Sequence, residues 1–313
     1  MPVKRRTRAG LAPASMRFIE RANAVLDGLR DYWPLTLRQL YYQLVAAGDI
    51  DNSIREYKRL SRLLSDARYA GLVSWDAIED RSRTLLPACV WRDKYNFIKD
   101  ELDGFLAGYR RDPLQSQPER LEVWIEKDAL RGVVKRAAHP YAVPVVAGRG
   151  FSSTSFLHQF RQRILASADN GQSTHVLYFG DLDPSGYEML PAMLRKLQGE
   201  LGLGDLVDGT RCALNVDQVE HYQLTHKPDA LKRSDPRARK YREQFGNLAV
   251  ELDALPPADL AHLVERAIVD HLEADTYNNE VDTGRAERTA LAAIREKVIV
   301  QVNVELQRHR RQY

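Results

Sequence analysis

Apolar residues recur at helical spacing through the N-terminal part of the chain. Phe18, Ile19, Ala22, Val25, Leu26 and Leu29 share one face of a helix that starts near Ser15 and breaks at "YWP". Leu37, Leu40, Tyr41, Leu44 and Val45 mark a second helix, from about Thr36, a good N-cap, to Ala47, with Gly48 placed to end it. A third is expected from about Ser53 to Ala70, closed by Gly71. "LVSWDAIEDRSR" then turns β-branched and aromatic around a charged centre, which predicts a short hairpin. Helix, helix, helix, hairpin is the order of a winged helix-turn-helix module.

The pattern changes after "YRRDPLQSQPERLE", where Pro113, Pro118 and a shortage of apolar residues mark a domain boundary. "LEVWIEKD", "AVPVVAG", "HVLYFG" and "RCALNV" read as strands. Helices are expected at 129–138, at 153–168, after Pro184 and near Gln218. Such alternation implies an α/β fold with a parallel sheet covered on both faces. The tail from about Asp259 to Gln312 reads as helical. The expected organisation is a basic flexible tail at 1–13, a winged-helix DNA-binding domain at 14–112, and a Rossmann-like domain with C-terminal helices at 119–313.

Composition changes this picture little. The 313 residues carry a formal net charge of +3, so attraction to a polyanion must rest on local clusters. One cluster is the N-terminal run of Lys4, Arg5, Arg6 and Arg8. Cys89 and Cys212 lie far apart, which argues against a disulfide framework or a structural zinc site. None of the eight histidines has metal-ligand spacing. With no membrane-length apolar run and no signal-like start, the sequence reads as cytoplasmic, without a membrane partner.

The candidate chemistry begins in "VLYFGDLDPSGYEM", where a buried-looking strand ends in Asp181 and Asp183. Ligands of open parallel sheets bind beyond the carboxyl ends of the strands. Asp183, before Pro184, is also a natural N-cap. Asp181 has no such explanation. A lone pair of this kind also follows strands in haloacid dehalogenase phosphatases and many glycosyltransferases. In "EVWIEKD", Glu126 ends a second apolar strand, so three carboxylates at two strand ends make a candidate site for Mg2+, or Mn2+ in its place.

On the second helix Tyr41 falls on the apolar face and Tyr42 points away from it. Arg38, four residues before Tyr42, lies beside that phenol, where its charge would favour the phenolate or bind a phosphate. The plainer reading is a half-exposed tyrosine packed beside an arginine. On the third helix Arg55, Lys58, Arg59 and Arg62 share a face opposite Tyr57, Leu60, Leu64 and Ala67, which suits a DNA backbone or an ordinary solvated surface. "AGRGFSSTSF" is a phosphate-binding candidate, although Ser152 or Ser153 as a helix cap explains it better. "SDPRARKYRE", with Lys232, Arg233, Arg237, Arg239, Lys240 and Arg242, reads as a basic loop.

"VWIEKDAL" and "YFGDLDPSG" together resemble the Toprim domain, and "LTLRQLYYQL" resembles the tyrosine helix of the topoisomerase VI A subunit and its meiotic double-strand-break relatives. The compact chain is most similar to the mini-A type of that family. The resemblance implies a winged helix followed by a Toprim domain, with metal at Glu126, Asp181 and Asp183. It also implies that Tyr42 is the nucleophile joined to a DNA 5′ phosphate, assisted by Arg38. Double-stranded DNA is then the substrate and a nucleoid-associated homodimer the working form, joining one chain's tyrosine to the other's metal. A separate GHKL-type ATPase B subunit is a possible partner, since no such stretch is visible. The alternatives are a metal-dependent hydrolytic Toprim nuclease and a non-catalytic winged-helix DNA-binding protein. "AVELDALP" resembles the acidic segment after the Toprim core, but a solvated strand end explains Glu251 and Asp253 equally well, and they stand outside the expected site.

Overall fold

The computed structural model describes residues 12–79, 88–148, 153–226 and 237–311. In chain order it forms α1 (Pro13–Gly28), β1 (Leu35–Thr36), α2 (Leu37–Ala46), α3 (Ile54–Tyr69), β2 (Ile78–Glu79) and α4 (Lys94–Gly104). There follow β3 (Glu119–Ile125), α5 (Arg131–Ala138), β4 (Val145–Ala147), α6 (Thr154–Asp169), β5 (Ser173–Phe179) and α7 (Pro184–Arg195). The chain ends with β6 (Val207–Ala213), α8 (Val216–His221), α9 (Ala238–Phe245), α10 (Pro257–Val269) and α11 (Ala274–Arg311). The protein is a mixed α/β fold with parallel strands and a helical C-terminal part. Among the described residues no helix is long and apolar enough to cross a membrane.

Two compact units divide the chain. One combines Met1–Ser82 with Pro118–His271, the other Arg83–Gln117 with Leu272–Tyr313.

In the first unit β4, β3, β5 and β6 lie side by side in that order, all parallel. Alternate side chains go to opposite faces. Trp124, Val176 and Tyr178 pack with Leu157, Phe160 and Ile164 of α6 and Leu190 and Met193 of α7. Leu121, Val123 and Ile125 are buried on the other side, as are Val133 and Val134 of α5 and Leu260 and Val264 of α10. Burying each such side chain contributes roughly 1.5–3 kcal/mol, so the two-sided sheet is the rigid base of the unit.

The N-terminal helices follow the sequence closely. Thr36 caps α2 through a box with Gln39, Ser53 accepts from Glu56 N at the start of α3, and Gly48 and Gly71 take φ of 73° and 72° after the two helices. The expected hairpin differs: Trp75–Ala77 forms a 3-10 turn, and β2 pairs in parallel with β1, Leu35 opposite Ile78. Residues 80–83, the rest of that expectation, lie outside the described part, as do residues 1–11 of the expected tail, Ser152, Lys232 and Arg233. Ser153 is the N-cap of α6 but its side chain makes no capping bond, so the hydroxyl cap expected there is not formed. From Ala238 the supposed basic loop is helix α9, because Ala238 and Tyr241 are buried on one face.

The second unit holds α4 and the long α11. Arg111 pairs with Glu280 and with Glu287, the latter at 2.9 Å, and Gln115 Nε2 donates to Glu280 at 2.7 Å. A Cβ on Gly284 would lie 3.0 Å from that of Arg111, so glycine lets the two segments close.

Candidate active site

Strand register brings the first two acids together. Ile125 and Phe179 are neighbours at the ends of β3 and β5, so Glu126 and Asp181 leave adjacent strand ends. Glu126 Oε2 accepts from Asp181 N at 3.2 Å and from the Tyr178 hydroxyl at 3.3 Å. Asp183 caps α7, accepting from Gly186 N at 2.7 Å, which satisfies its plainer role. A Cβ on Gly186 would stand 2.4 Å from Asp181 O and 3.0 Å from Glu126 Oε2, so only glycine lets the helix begin this close to the acids. Arg211 reinforces the loop by donating to Gly180 O at 3.1 Å and Gly186 O at 2.9 Å.

A second acidic segment joins them. Leu182 and Val250 exchange backbone bonds of 2.9 and 3.0 Å in an antiparallel bridge, and Leu252 N donates to Asp181 Oδ1 at 2.9 Å. This clamp carries Glu251 and Asp253 to the strand ends and overturns the expectation of a solvated segment: Asp253 is 1% exposed. Lys127 Nζ lies 2.7 Å from Asp181 Oδ2, 3.9 Å from Glu251 and 3.8 Å from Asp253. Arg38 Nε donates to Asp253 at 2.9 Å, and the same guanidinium pairs with Glu251.

Tyr42 completes the group. Its hydroxyl donates to Glu251 Oε2 at 2.8 Å, and the Arg38 guanidinium lies 5.5 Å from its ring centroid. Arg38 and Tyr42 are therefore neighbours, as the helical spacing requires. The exposure expected for Tyr42 is not found, because it is 4% exposed, like Tyr41. The residues that cover it come from the 251–255 segment, more than two hundred positions away.

The electrostatics follow from burial. Burial, then the charge of Asp181, pushes Glu126 up to about 7. Asp183 and Asp253 are also raised, chiefly by burial, although Gly186 N eases the first and Arg38 the second. Burial raises the Tyr42 phenol too, and Arg38 only partly offsets it. Arg38 does act in the expected direction, toward phenolate, but burial outweighs it and the phenol stands above its ordinary value.

The donor set of Glu126, Asp181 and Asp183 is all oxygen, which fits Mg2+, and burial raises Glu126 and Asp183. The Lys127 ammonium pairs with the Asp181 carboxylate. Among the described residues no three His, Cys, Asp or Glu side chains are drawn together as a metal centre requires.

On α3, Arg55, Lys58, Arg59 and Arg62 line one surface cavity of about 540 Å³ together with Ile54. Arg59 differs from the others: it pairs with Glu56 at 2.9 Å and lies 5.0 Å from the ring of Phe18.

Sequence reasoning passed over Lys127 and placed Glu251 and Asp253 outside the site. The signal of the two acids was an interleaving of acids with apolar residues in "AVELDALP", where Ala249, Val250, Leu252, Ala254 and Leu255 are all buried. Comparison with protein-family models, with characterised proteins and with solved structures finds no match for this chain.

Proposed function

We propose that the chain cleaves DNA by tyrosine transesterification, in the manner of the topoisomerase VI A subunit that its motifs resemble. The observation that carries this reading is the chain of contacts from Tyr42 through Glu251 and Lys127 to Asp181, which sets a nucleophile candidate beside a carboxylate site. The N-terminal helices act as a winged-helix-like module and the four-stranded sheet as a Toprim-like one. Tyr42 attacks a backbone phosphorus, the bond to the 3′ oxygen breaks, and a 5′-phosphotyrosyl link and a free 3′ hydroxyl result. Arg38 holds the nucleophile's surroundings through Glu251 and Asp253. Glu126, Asp181 and Asp183 would hold Mg2+ or Mn2+, which stabilises charge on the phosphate and the leaving oxygen.

Double-stranded DNA lies along the cations of α3 in this reading. Each chain offers one such tyrosine, so a double-strand break calls for a homodimer. A separate GHKL-type ATPase B subunit would supply strand passage, and the cytoplasmic nucleoid is the place where these partners meet.

The burial of Tyr42 favours a second reading, hydrolysis by metal-activated water with the tyrosine as packing. Labelled DNA incubated in Mg2+ or Mn2+ and run on a denaturing gel, with and without protease, separates the two. Transesterification gives a protease-sensitive adduct that Tyr42→Phe abolishes. Hydrolysis gives cut DNA without an adduct, and a non-catalytic binding protein leaves the DNA intact.

A further inference from the structure

We infer that Glu251 is the proton acceptor for Tyr42 within the same chain, and that Asp253 and Arg38 are the residues that position it. This rests on the reading of Tyr42 as nucleophile. A general base must lie within about 2.6–3.2 Å of the group it deprotonates. Glu251 Oε2 lies 2.8 Å from the Tyr42 hydroxyl and accepts its proton in a hydrogen bond. Asp181 is engaged by Lys127 and Leu252 N.

The carboxylate is held from behind. Arg38 pairs with Glu251 and is itself anchored by its Nε bond to Asp253 at 2.9 Å. Asp253 is buried and cannot swing away without leaving a charge unpaired. Lys127, 3.9 Å from Glu251, sets a second positive charge beside the carboxylate.

The need for a base follows from the environment. Burial makes a free Tyr42 phenolate unfavourable, so the proton must leave as the new bond forms. In that step the Tyr42 O–H proton moves to Glu251 Oε2 while the phenol oxygen bonds to phosphorus. The phosphorus–O3′ bond breaks with its electron pair on the 3′ oxygen, which takes a proton from solvent water. Rejoining runs the same path backward: the 3′ hydroxyl attacks, and Glu251 returns its proton to the departing phenolate.

The test measures adduct formation on labelled DNA in Mg2+ with the full chain, alongside DNA binding and thermal melting. Glu251→Gln keeps the shape and is expected to slow adduct formation by about 10²–10⁴-fold, the usual contribution of a positioned base, with DNA binding unchanged. Glu251→Asp is expected to recover part of the rate. Replacing Tyr42 with a trifluorinated tyrosine, whose phenol is more acidic, is expected to shrink the effect of Glu251→Gln, which a merely structural role would not do. Wild-type adduct rates in Glu251→Gln, or an effect that the fluorinated phenol leaves unchanged, would overturn the role of Glu251 and leave Tyr42 standing. Absence of any adduct from the wild-type chain overturns both readings. Should Glu251→Gln melt early, Glu251→Asp combined with the fluorinated tyrosine decides by the same criterion.

Discussion

Glu126 and Glu280 are the same residue under opposite pressures. Glu126, in the unit that holds Tyr42, is pushed up to about 7 by burial and by Asp181. Glu280, in the unit built on α11, is held down at about 2 by hydrogen bonds from Ser116, Arg111 and Gln115. In the first unit Asp183 and Asp253 are raised as well. An acid surrounded by donors stabilises its fold. Acids crowded together in a buried seam oppose folding, and such groups concentrate where charge is used in chemistry. The contrast separates a carboxylate that stabilises its unit from one that burial strains more clearly than sequence position does.

The largest expected effect lies at Tyr42. Tyr42→Phe removes only a hydroxyl from a buried ring, so the chain is expected to fold while adduct formation falls to background, as read on a denaturing gel. An undiminished adduct would break the assignment of the working seam to this tyrosine. Next comes the metal. Loss of even a hydrogen-bond partner of a metal ligand typically weakens binding about 10–100-fold, so Asp181→Asn should weaken Mg2+ binding at least that much by calorimetry. Glu280→Gln should leave it unchanged.

Stability should move the other way. The upward shift of Glu126 corresponds to at most about 3 kcal/mol of destabilisation above pH 7. Glu126→Gln is therefore expected to raise the melting temperature of metal-free protein at pH 8 while it impairs cleavage. No gain in stability would show that the acid is not under strain.

The pH dependence has opposite signs in the two units. The raised Glu126 contributes stability below about pH 4.5 that is lost as pH rises to about 7, because the folded state binds more protons across that window. The lowered Glu280 contributes stability above about pH 4.5 that is lost as pH falls toward 2. Hydrogen exchange on chelated protein should show α7 and β5 better protected at pH 5 than at pH 8. The first two turns of α11 should lose protection below pH 4. The smallest effect belongs to α3, where Lys58→Gln or Arg62→Gln should reduce the salt dependence of DNA binding by roughly one phosphate contact each.

How much of this was legible in the sequence depended on the range of the interaction. Thr36, Gly48, Ser53 and Gly71 act within one turn of themselves, and the helix limits follow from them. Asp181 was legible because an apolar run makes a buried strand, and a strand end in a parallel sheet is a place rather than merely a pattern. The burial of Tyr42 was not legible, because it depends on residues 251–255, brought in by the Leu182–Val250 bridge. The same bridge turns Glu251 and Asp253 from apparent surface acids into partners of Tyr42 and Arg38. The partner of β2 was not legible for a related reason. Ile78 and Glu79 have strand character, but their partner is β1, more than forty residues earlier.

The central claim is that the Tyr42 oxygen becomes bonded to DNA. The most direct measurement is mass spectrometry of the protease-digested adduct, mapping which residue carries the nucleotide. A phosphotyrosyl nucleotide on the peptide containing Tyr42 is expected. Nucleotide on any other residue, or cut DNA with no nucleotide on the chain, would contradict it.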